Sequence, residues 1–213
     1  MREVKNWFRE RMVNRVLSAL KDKGFNAYYA MNKDEALKII LNLIPKDAIV
    51  GVGGSITVRE IGLIEALNEK KIPVIHHWRK GLSREENFRV RRLEVTSDVF
   101  ISSCNAITID GKIICADAVG NRVAALSFGP RKVIIVTGIN KIVKDVNSGI
   151  WRIRNIATPM NAKRLKLNIP CAEHGYCTEC NSINCPVRII LIIDRPPRMT
   201  DYHIIIVDEE LGY

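Results

Sequence analysis

Short runs that are apolar at nearly every position recur along this chain, and segments with helical periodicity separate them. The clearest runs are DAIVGVG (47–53), DVFISSC (98–104), KVIIVTG (132–138) and HIIIVDE (203–209). A strand that is apolar on both faces must be covered on both faces, and helices between parallel strands provide that cover. The pattern therefore predicts an α/β fold in which helices flank a mostly parallel sheet.

The remaining predicted elements complete this alternation. Further strands are predicted over 25–31, 71–77 and 188–194, and the last of these is expected to be buried. Asp110-Gly111 lies between two alternating segments and predicts a β-hairpin over 106–115, inserted antiparallel. The predicted helices cover 2–23, 32–43, 57–68, the arginine-rich stretch after Ser83, 121–128 and 141–155.

Length and composition favour one folded domain. The chain has 213 residues, of which 47% are hydrophobic, and this is enough for a sizeable core. Because no internal repeat or low-complexity linker interrupts it, we expect a single domain over 1–213, with a cysteine-rich insertion at 170–187. No apolar run approaches the roughly 18 to 20 residues that cross a bilayer, so we expect a cytoplasmic protein without a membrane partner.

The strong basic balance is a second compositional constraint. The formal net charge is +10 and the pI is near 9.5, which invites a nucleic-acid interpretation. The densest basic stretch, Arg79 to Arg92, is better explained as a solvated helix face than as a surface for an anionic partner, because no aromatic-interleaved pattern accompanies it. Nucleic acid is therefore not an expected partner, and the abundant Ile, Lys and Glu resemble thermophile composition.

The first candidate site is the glycine-rich loop in GVGGSITVRE, between a predicted strand and a predicted helix. Glycine lets the backbone approach a ligand, and a helix N-terminus offers free N–H groups to an anion. Dinucleotide and Walker motifs both fail, the first because Ile56 replaces its third glycine. Anion binding is favoured over a purely structural turn. The predicted ligand-binding residues are Gly51, Gly53, Gly54, Ser55 and Thr57.

Glu60 lies just inside the helix that follows this loop. A carboxylate so placed could act as a general acid or base on a bound anion. An exposed helical glutamate without a catalytic role is the alternative.

A second group of polar residues follows the ends of later predicted strands, where open parallel sheets bind their ligands. Arg122 could clamp a carboxylate, and Asp117 could accept a proton. The alternative for Asp117 and Asn121 is that they cap the helix over 121–128. Lys141 could add positive charge to the same crevice or be an ordinary surface lysine. The predicted ligand-binding residues here are Asn105, Gly120, Asn121, Asn140 and Lys141.

The segment CAEHGYCTECNSINC (171–185) has the spacing C-x5-C-x2-C-x4-C. Thiols in a cytosol are normally reduced, which favours a metal site over disulfides, although hyperthermophiles do keep intracellular disulfides. Four thiolates satisfy either tetrahedral zinc or a [4Fe-4S] cluster. The predicted metal ligands are Cys171, Cys177, Cys180 and Cys185, whereas Cys104 and Cys115 are expected to be inert buried thiols.

Several of these motifs together resemble the LUD-domain family, which includes the C-type lactate-utilization protein. The resemblance covers about residues 1 to 213. Its motifs are GVGGSITVREIG, SSCNAITIDGKIICADAVGNRVAALSFGPRKVIIVTGINKIV, PMNAKRL and VDEELGY. The family's usual D-G-x-G-N-R is here Asp117 to Arg122, with Ala118 in place of a glycine, and this weakens the case for close backbone approach at that point.

The resemblance implies a fold similar to the superfamily of sugar-phosphate isomerases, glucosamine-6-phosphate deaminase and CoA-transferases. In those relatives the glycine loop cradles a phosphate, CoA or a carboxylate. Lactate utilization oxidises L-lactate with the help of iron-sulfur subunits, so the resemblance favours a [4Fe-4S] cluster over zinc and implies iron-sulfur partner subunits.

The expected function is therefore binding of a small organic anion, such as a lactate-type carboxylate, within a lactate-utilization or other redox pathway. Glu60, Asp117 and Arg122 are the candidate catalytic residues. Two alternatives stay open: an isomerase, deaminase or transferase acting on a phosphorylated or CoA-linked substrate, and a non-catalytic metal-bearing accessory protein. The long N-terminal helix could also form a homo-oligomer contact.

Overall fold

The computed structural model describes residues 1–213 apart from the side chain of residue 2. The strands are β1 (Asn26–Ala30), β2 (Val50–Val52), β3 (Val74–Ile75), β4 (Val99–Ser102), β5 (Ala106–Thr108), β6 (Ile113–Asp117), β7 (Lys132–Gly138), β8 (Ile142–Val143), β9 (Ile189–Ile193) and β10 (Asp201–Val207). The α-helices are α1 (Arg2–Asp22), α2 (Lys33–Leu43), α3 (Ile56–Glu60), α4 (Leu63–Glu69), α5 (Arg84–Val95), α6 (Asn121–Ser127), α7 (Val146–Arg152), α8 (Thr158–Arg164) and α9 (Pro170–His174).

The main sheet has six strands in the order β1-β10-β7-β4-β2-β3, and every neighbouring pair in it is parallel. Its central strands are buried on both faces. In β10, Ile204 and Ile206 face one hydrophobic core while Ile205 and Val207 face the other, as the period of two along a strand requires. The predicted α/β architecture with helices on both sides of a parallel sheet is confirmed.

The predicted hairpin is also confirmed, but it belongs to a second, four-stranded sheet in the order β8-β5-β6-β9. β9, which was predicted to be buried, lies at the edge of this sheet instead. Ile189, Ile190 and Ile192 are exposed there, so the prediction of a buried strand over 188–194 is wrong. The apolar composition of residues 188–194 is equally compatible with a buried strand of the central sheet and with an edge strand of the small sheet.

Two predicted helices have different bounds in the structure. The segment 57–68 forms two helices, α3 and α4, because the chain turns at Gly62 with a φ of 69°, a left-handed conformation that favours glycine. The segment 141–155 begins its helix only after Asp145, whose side chain accepts a hydrogen bond from the Ser148 N–H. That helix then continues through a π-helix at Ile153–Ala157 into α8.

The N-terminal helix is confirmed over Arg2–Asp22, and its two halves differ. Val16 and Leu20 in the second half are buried in the core, whereas Val4, Trp7 and Phe8 in the first half are exposed. None of the described helices is long and apolar enough to cross a membrane.

Candidate functional site

A cavity of about 540 Å³ opens at the carboxyl ends of β2, β4 and β7. Because parallel strands end at one edge of the sheet, the segments that follow them meet there. Ser55 and Thr57 follow β2, Ser103 and Asn105 follow β4, and Lys141 follows β7. The cavity thus brings together the glycine loop, Asn105, Arg122 and Lys141, which the sequence placed on separate strand ends.

The lining of the cavity is strongly cationic. No Asp or Glu lines it among the residues that the structure describes. The cationic residues of the lining are Arg59, Arg79, Lys80, Arg91, Arg122, Lys141 and Arg164. Those at the rim are exposed, Arg91 and Arg122 are half-buried, and Lys141 is buried with 3% of its surface exposed. Positive charge therefore extends from the mouth of the cavity to its floor.

Lys141 is held by hydroxyl groups rather than by a carboxylate. Its Nζ donates to Thr57 Oγ1 at 2.7 Å and to Ser103 Oγ at 3.1 Å. Burial, together with the nearby charges of Arg152 and Arg122, lowers the pKa of Lys141 to about 8. The interpretation of Lys141 as an ordinary surface lysine is wrong.

Arg122 is fixed in the same way. Its guanidinium donates to the Ser103 carbonyl at 3.0 Å, to Asn105 Oδ1 at 2.8 Å and to the Ala116 carbonyl. No carboxylate among the described residues lies within 4.0 Å of the side-chain nitrogens of Arg122 or Lys141. Both charges are oriented by neutral hydrogen-bond partners, and neither forms a direct ion pair with a carboxylate of the described residues.

Asp117 does not line the cavity. Its Oδ2 accepts hydrogen bonds from the backbone N–H groups of Arg122 at 3.0 Å and Val123 at 3.2 Å, so it caps α6. Burial alone would raise the pKa of Asp117, but the Arg122 charge and the backbone N–H groups of Val119, Gly120 and Val123 lower it on balance. This placement fits the capping interpretation, and the proton-accepting role of Asp117 stays a prediction. Gly120, with a φ of 99°, is the residue that precedes α6.

His77, which lines the cavity, is paired with a buried carboxylate that does not line it, and the sequence analysis missed this pair. His77 Nδ1 lies 2.6 Å from Oε1 of Glu94, which is fully buried, and the His77 backbone N–H donates to the same oxygen at 2.8 Å. Asn121 Nδ2 donates to the other oxygen at 3.0 Å, and Arg91 in turn donates to Asn121 Oδ1 at 2.8 Å. Asn121 thus supports the pair rather than lining the cavity.

The other ring nitrogen of His77 points toward the glycine loop. A Cβ atom built on Gly54 would lie 3.4 Å from His77 Nε2 and 3.5 Å from Trp78 Nε1. Because Gly54 has no side chain, the space in front of His77 is open to a ligand or to the imidazole itself. Because Glu94 accepts at Nδ1, it can hold the ring in the orientation in which Nε2 exchanges a proton with a ligand.

The rest of the glycine loop serves packing. A Cβ on Gly51 would lie 2.7 Å from the Glu94 carbonyl oxygen, and one on Gly53 would lie 2.7 Å from Phe100 Cζ. The helix that follows has only five residues, and Ser55 Oγ accepts from the Val58 N–H at its start. Side-chain charge, rather than a long helix dipole, therefore makes this end of the sheet attractive to an anion.

Glu60 and Asn140 lie outside the cavity, where both bind the segment that ends the described chain. Glu60 Oε2 accepts from the Gly212 N–H at 2.6 Å, and Asn140 Oδ1 accepts from the Leu211 N–H at 3.2 Å. Their contacts hold Gly212 against Thr57 and place Tyr213 in the lining. The Tyr213 hydroxyl is buried and has no hydrogen-bond partner among the described residues.

The cysteine segment has a looser geometry. Cys171 is buried at the start of α9, and Cys177, Cys180 and Cys185 are half-buried in a stretch with little regular structure. Burial raises the pKa of Cys171, and the other three thiols raise it further, so the four lie close enough to interact. Even so, no three His, Cys, Asp or Glu side chains in the described part of the chain are arranged to hold a metal ion.

The two cysteines outside this segment are buried, and Cys104 also lines the cavity. Burial raises the pKa of the Cys115 thiol to about 12, and Cys104 is 2% exposed. All six cysteines are free thiols in the described structure. A thiol whose pKa is raised this far is a poor nucleophile and metal ligand, which agrees with the inert role predicted for Cys115.

Comparison with known proteins identifies a sequence family that this chain matches and a solved structure with a similar fold. The sequence model of the LUD domain matches residues 13–207. The crystal structure of a DUF162 family protein from Deinococcus radiodurans is similar, with a TM-score of 0.55 and 17% sequence identity, over 93% of this chain and 98% of that chain. At this identity the likeness shows the fold alone. No curated protein sequence matches the chain.

Proposed function

The chain belongs to the LUD domain family, and we propose that it binds a small organic anion in the cation-lined cavity. The single observation that carries this proposal is the charge of the lining: seven cationic side chains and, among the described residues, no Asp or Glu side chain. Like charges so close together repel one another, and an anion that enters relieves the repulsion. The lactate association of the family favours a lactate-type carboxylate in a redox pathway.

The geometry of the deepest cations supports the same proposal. Arg122 and Lys141 are already oriented by hydrogen bonds to Ser103, so neither needs to be ordered when a ligand binds. Preorganised donors cost little entropy on binding and favour an anion that spans both. The volume of about 540 Å³ lies within the roughly 300–1,000 Å³ typical of small-molecule sites.

Thermal unfolding in the presence of different anions tests the proposal. Lactate, glycolate, phosphate and a sugar phosphate should be compared with chloride at equal ionic strength. At least one of them should raise the melting temperature of the wild type, because a ligand that binds only the folded state stabilises it. Arg122→Gln should lose most of this increase, whereas Arg198→Gln, which removes an exposed arginine outside the cavity, should keep it.

The melting temperature of each variant without anion separates binding from folding. Arg122 donates hydrogen bonds to three half-buried backbone or side-chain oxygens, so its loss should also lower the intrinsic stability. The proposal fails if no anion stabilises the wild type more than chloride does. It also fails if Arg122→Gln and Arg198→Gln respond to the anions alike.

The cysteine segment supports the proposal of a second, separate site. Four free thiols form a donor set that suits a [4Fe-4S] cluster or zinc. Cys171, Cys177, Cys180 and Cys185 would hold the group, and the irregular backbone of residues 175–188 leaves them free to converge. A cluster would supply one-electron transfer when bound. Iron-sulfur partner subunits would be the electron partners of such a site.

The His77–Glu94 pair favours a second candidate function, which is catalysis by proton transfer on a phosphorylated or CoA-linked substrate. A buried carboxylate that holds an imidazole beside a ligand cavity is an arrangement suited to general acid–base chemistry. Incubation of sugar phosphates with the protein in deuterium oxide, followed by proton NMR, tests it. Deuterium should enter a carbon-bound position with the wild type and not with His77→Gln; no exchange with the wild type would count against this function.

A further inference from the structure

We infer that Lys141 forms a covalent imine with a small anion that carries an aldehyde or ketone group, such as a short α-oxo acid. The inference rests on the proposed function, because the anion must first occupy the cavity. It adds the chemical class of the ligand and a covalent step at a named atom. Three features of the surroundings of Lys141 carry it: its burial, its hydrogen bonds and its position beside Arg122.

The first feature is burial without a counter-ion. Lys141 is 3% exposed, and no carboxylate among the described residues lies within 4.0 Å of its Nζ. Removal of an ammonium from water is costly unless a negative charge compensates it, so a lysine in this setting gives up its proton readily. The neutral amine is the nucleophilic form of lysine.

The second feature is the number of hydrogen bonds at Nζ. The hydroxyl protons of Thr57 and Ser103 are directed to the carbonyls of Leu211 and Cys104, at 3.3 and 3.2 Å. Both hydroxyl oxygens therefore accept from Lys141. These are its two acceptors among the described residues, which matches the two N–H bonds of a neutral amine and leaves one short of the three in an ammonium. The lone pair of the amine is then free to attack an electrophile.

The third feature is the position of this amine. Lys141 lines the cavity floor, and its Nζ contacts the hydroxyl of the same Ser103 whose carbonyl accepts from Arg122. A carboxylate held by Arg122 therefore has its adjacent carbon close to Lys141. Arg122 Nη2 already donates to Asn105 Oδ1 and to the Ala116 carbonyl, so the Nε–H and the second Nη1–H are the donors left for a carboxylate. An α-oxo acid that accepts from one of them can present its carbonyl group to the amine. The pKa of about 8 leaves much of the amine neutral near that pH.

The proposed step is balanced within the two reactants. The Nζ lone pair forms a bond to the carbonyl carbon, and the carbonyl oxygen takes up the two protons that leave the nitrogen. That oxygen departs as water when the carbon–nitrogen double bond forms. The product is an imine between Lys141 and the anion, and no oxidant or reductant takes part.

Reductive trapping tests the inference. The full-length protein is incubated with glyoxylate and cyanoborohydride, which supplies the hydride that converts an imine into a stable secondary amine, and its peptides are mapped by mass spectrometry. The adduct should appear on Lys141 at least tenfold faster than on any other lysine. Glycolate, which has a hydroxyl in place of the carbonyl, should leave no adduct and should slow the labelling of Lys141 by glyoxylate.

Two variants and one binding measurement complete the test. Lys141→Arg keeps the cation but cannot form an imine, so it should lose the fast adduct. Lys38→Arg, at an exposed lysine outside the cavity, should keep both the adduct on Lys141 and the stabilisation by glycolate. If Lys141→Arg does not fold, the peptide map of the wild type still decides. Labelling of Lys141 no faster than exposed lysines, while glycolate stabilises the protein, overturns the inference and leaves the proposed function standing. Absence of stabilisation by any anion overturns both.

Discussion

The cavity and the cysteine segment differ in how firmly their reactive groups are held. In the cavity, Arg122 and Lys141 donate to oxygens at the ends of neighbouring strands and are fixed by the sheet itself. The cysteines of residues 171–185 lie between α9 and β9 in a stretch with little regular structure, and no three of them are arranged around a common metal position in the described structure.

The cavity should therefore bind its ligand without rearrangement, whereas the cysteine segment should not. Charges fixed before the ligand arrives need no reorganisation, and the sheet stabilises them whether or not the cavity is filled. A thiolate site on an irregular segment gains its order from the metal, because metal binding and ordering of the ligands are coupled. The cavity should therefore behave as a preformed site, and the cysteine segment as one that depends on its metal.

The largest expected effect concerns the cysteine segment. Cys177→Ser and Cys180→Ser should each lose the bound iron or zinc entirely, because a four-thiolate site needs every ligand, while Cys104→Ser and Cys115→Ser should keep it. Metal analysis and a visible spectrum after anaerobic purification measure this. Cys115→Ser, Cys177→Ser and Cys180→Ser, which lie outside the cavity lining, should keep anion stabilisation if the two sites are separate. Wild-type protein without metal from anaerobic cultures, with six freely titrating thiols, would refute the metal site.

The next largest effect is the pH dependence of stability that the buried Lys141 causes. The pKa of Lys141 is lowered from 10.5 to about 8 in the folded protein, so the unfolded chain binds more protons between these pH values. The penalty for the buried ammonium is fully present below pH 8 and is lost as the pH rises to 10.5. It amounts to on the order of 3 kcal/mol, since one pKa unit corresponds to about 1.4 kcal/mol.

Chemical denaturation of wild type and Lys141→Met across this pH range measures the penalty. The free energy of unfolding of the wild type should rise relative to that of the variant from pH 8 to 10.5, and Lys80→Met serves as the control for removing an exposed lysine. A constant difference between wild type and Lys141→Met would show that the lysine is not destabilised by burial. A saturating anion should reduce the pH dependence.

The smallest effect concerns the space in front of His77. The methyl group of Gly54→Ala would lie at ordinary contact distance, 3.4 Å, from His77 Nε2, so the fold should be kept. Because the methyl group takes up space in the cavity, anion affinity should fall about fivefold, or roughly 1 kcal/mol. Thermal unfolding with increasing anion measures both quantities. Unchanged affinity would place the anion away from the glycine loop.

Local pattern predicted the sheet, the hairpin and several caps, because these depend on residues close in sequence. Ser83 and Glu86 form the full capping box that starts α5, and Asp110-Gly111 turns the hairpin between β5 and β6. The residues that follow strand ends, including Ser55, Asn105 and Lys141, were identified because a parallel sheet gathers its strand ends at one edge.

The histidine–carboxylate pair could not be found in this way. His77 and Glu94 are 17 residues apart, and they meet because β3 pairs with β2 while α5 packs close to β2 at Gly51. Neither residue belongs to a local motif. The feature that marks the pair is the complete burial of Glu94, and burial can be seen only in the folded chain. Asp117, by contrast, was identified from the sequence, but the sequence did not decide between its capping and proton-accepting roles.

The most direct test of the account is titration calorimetry of the wild type and of a double variant, Arg122→Gln with Lys141→Met, using glycolate and phosphate at low and high salt. We expect one anion bound per chain for the wild type, and weaker binding at high salt because charge attracts the ligand. The double variant should melt cooperatively and give no measurable heat of binding. Equal affinity in the two proteins, or no binding to the wild type, would contradict the claim that this cavity is an anion site.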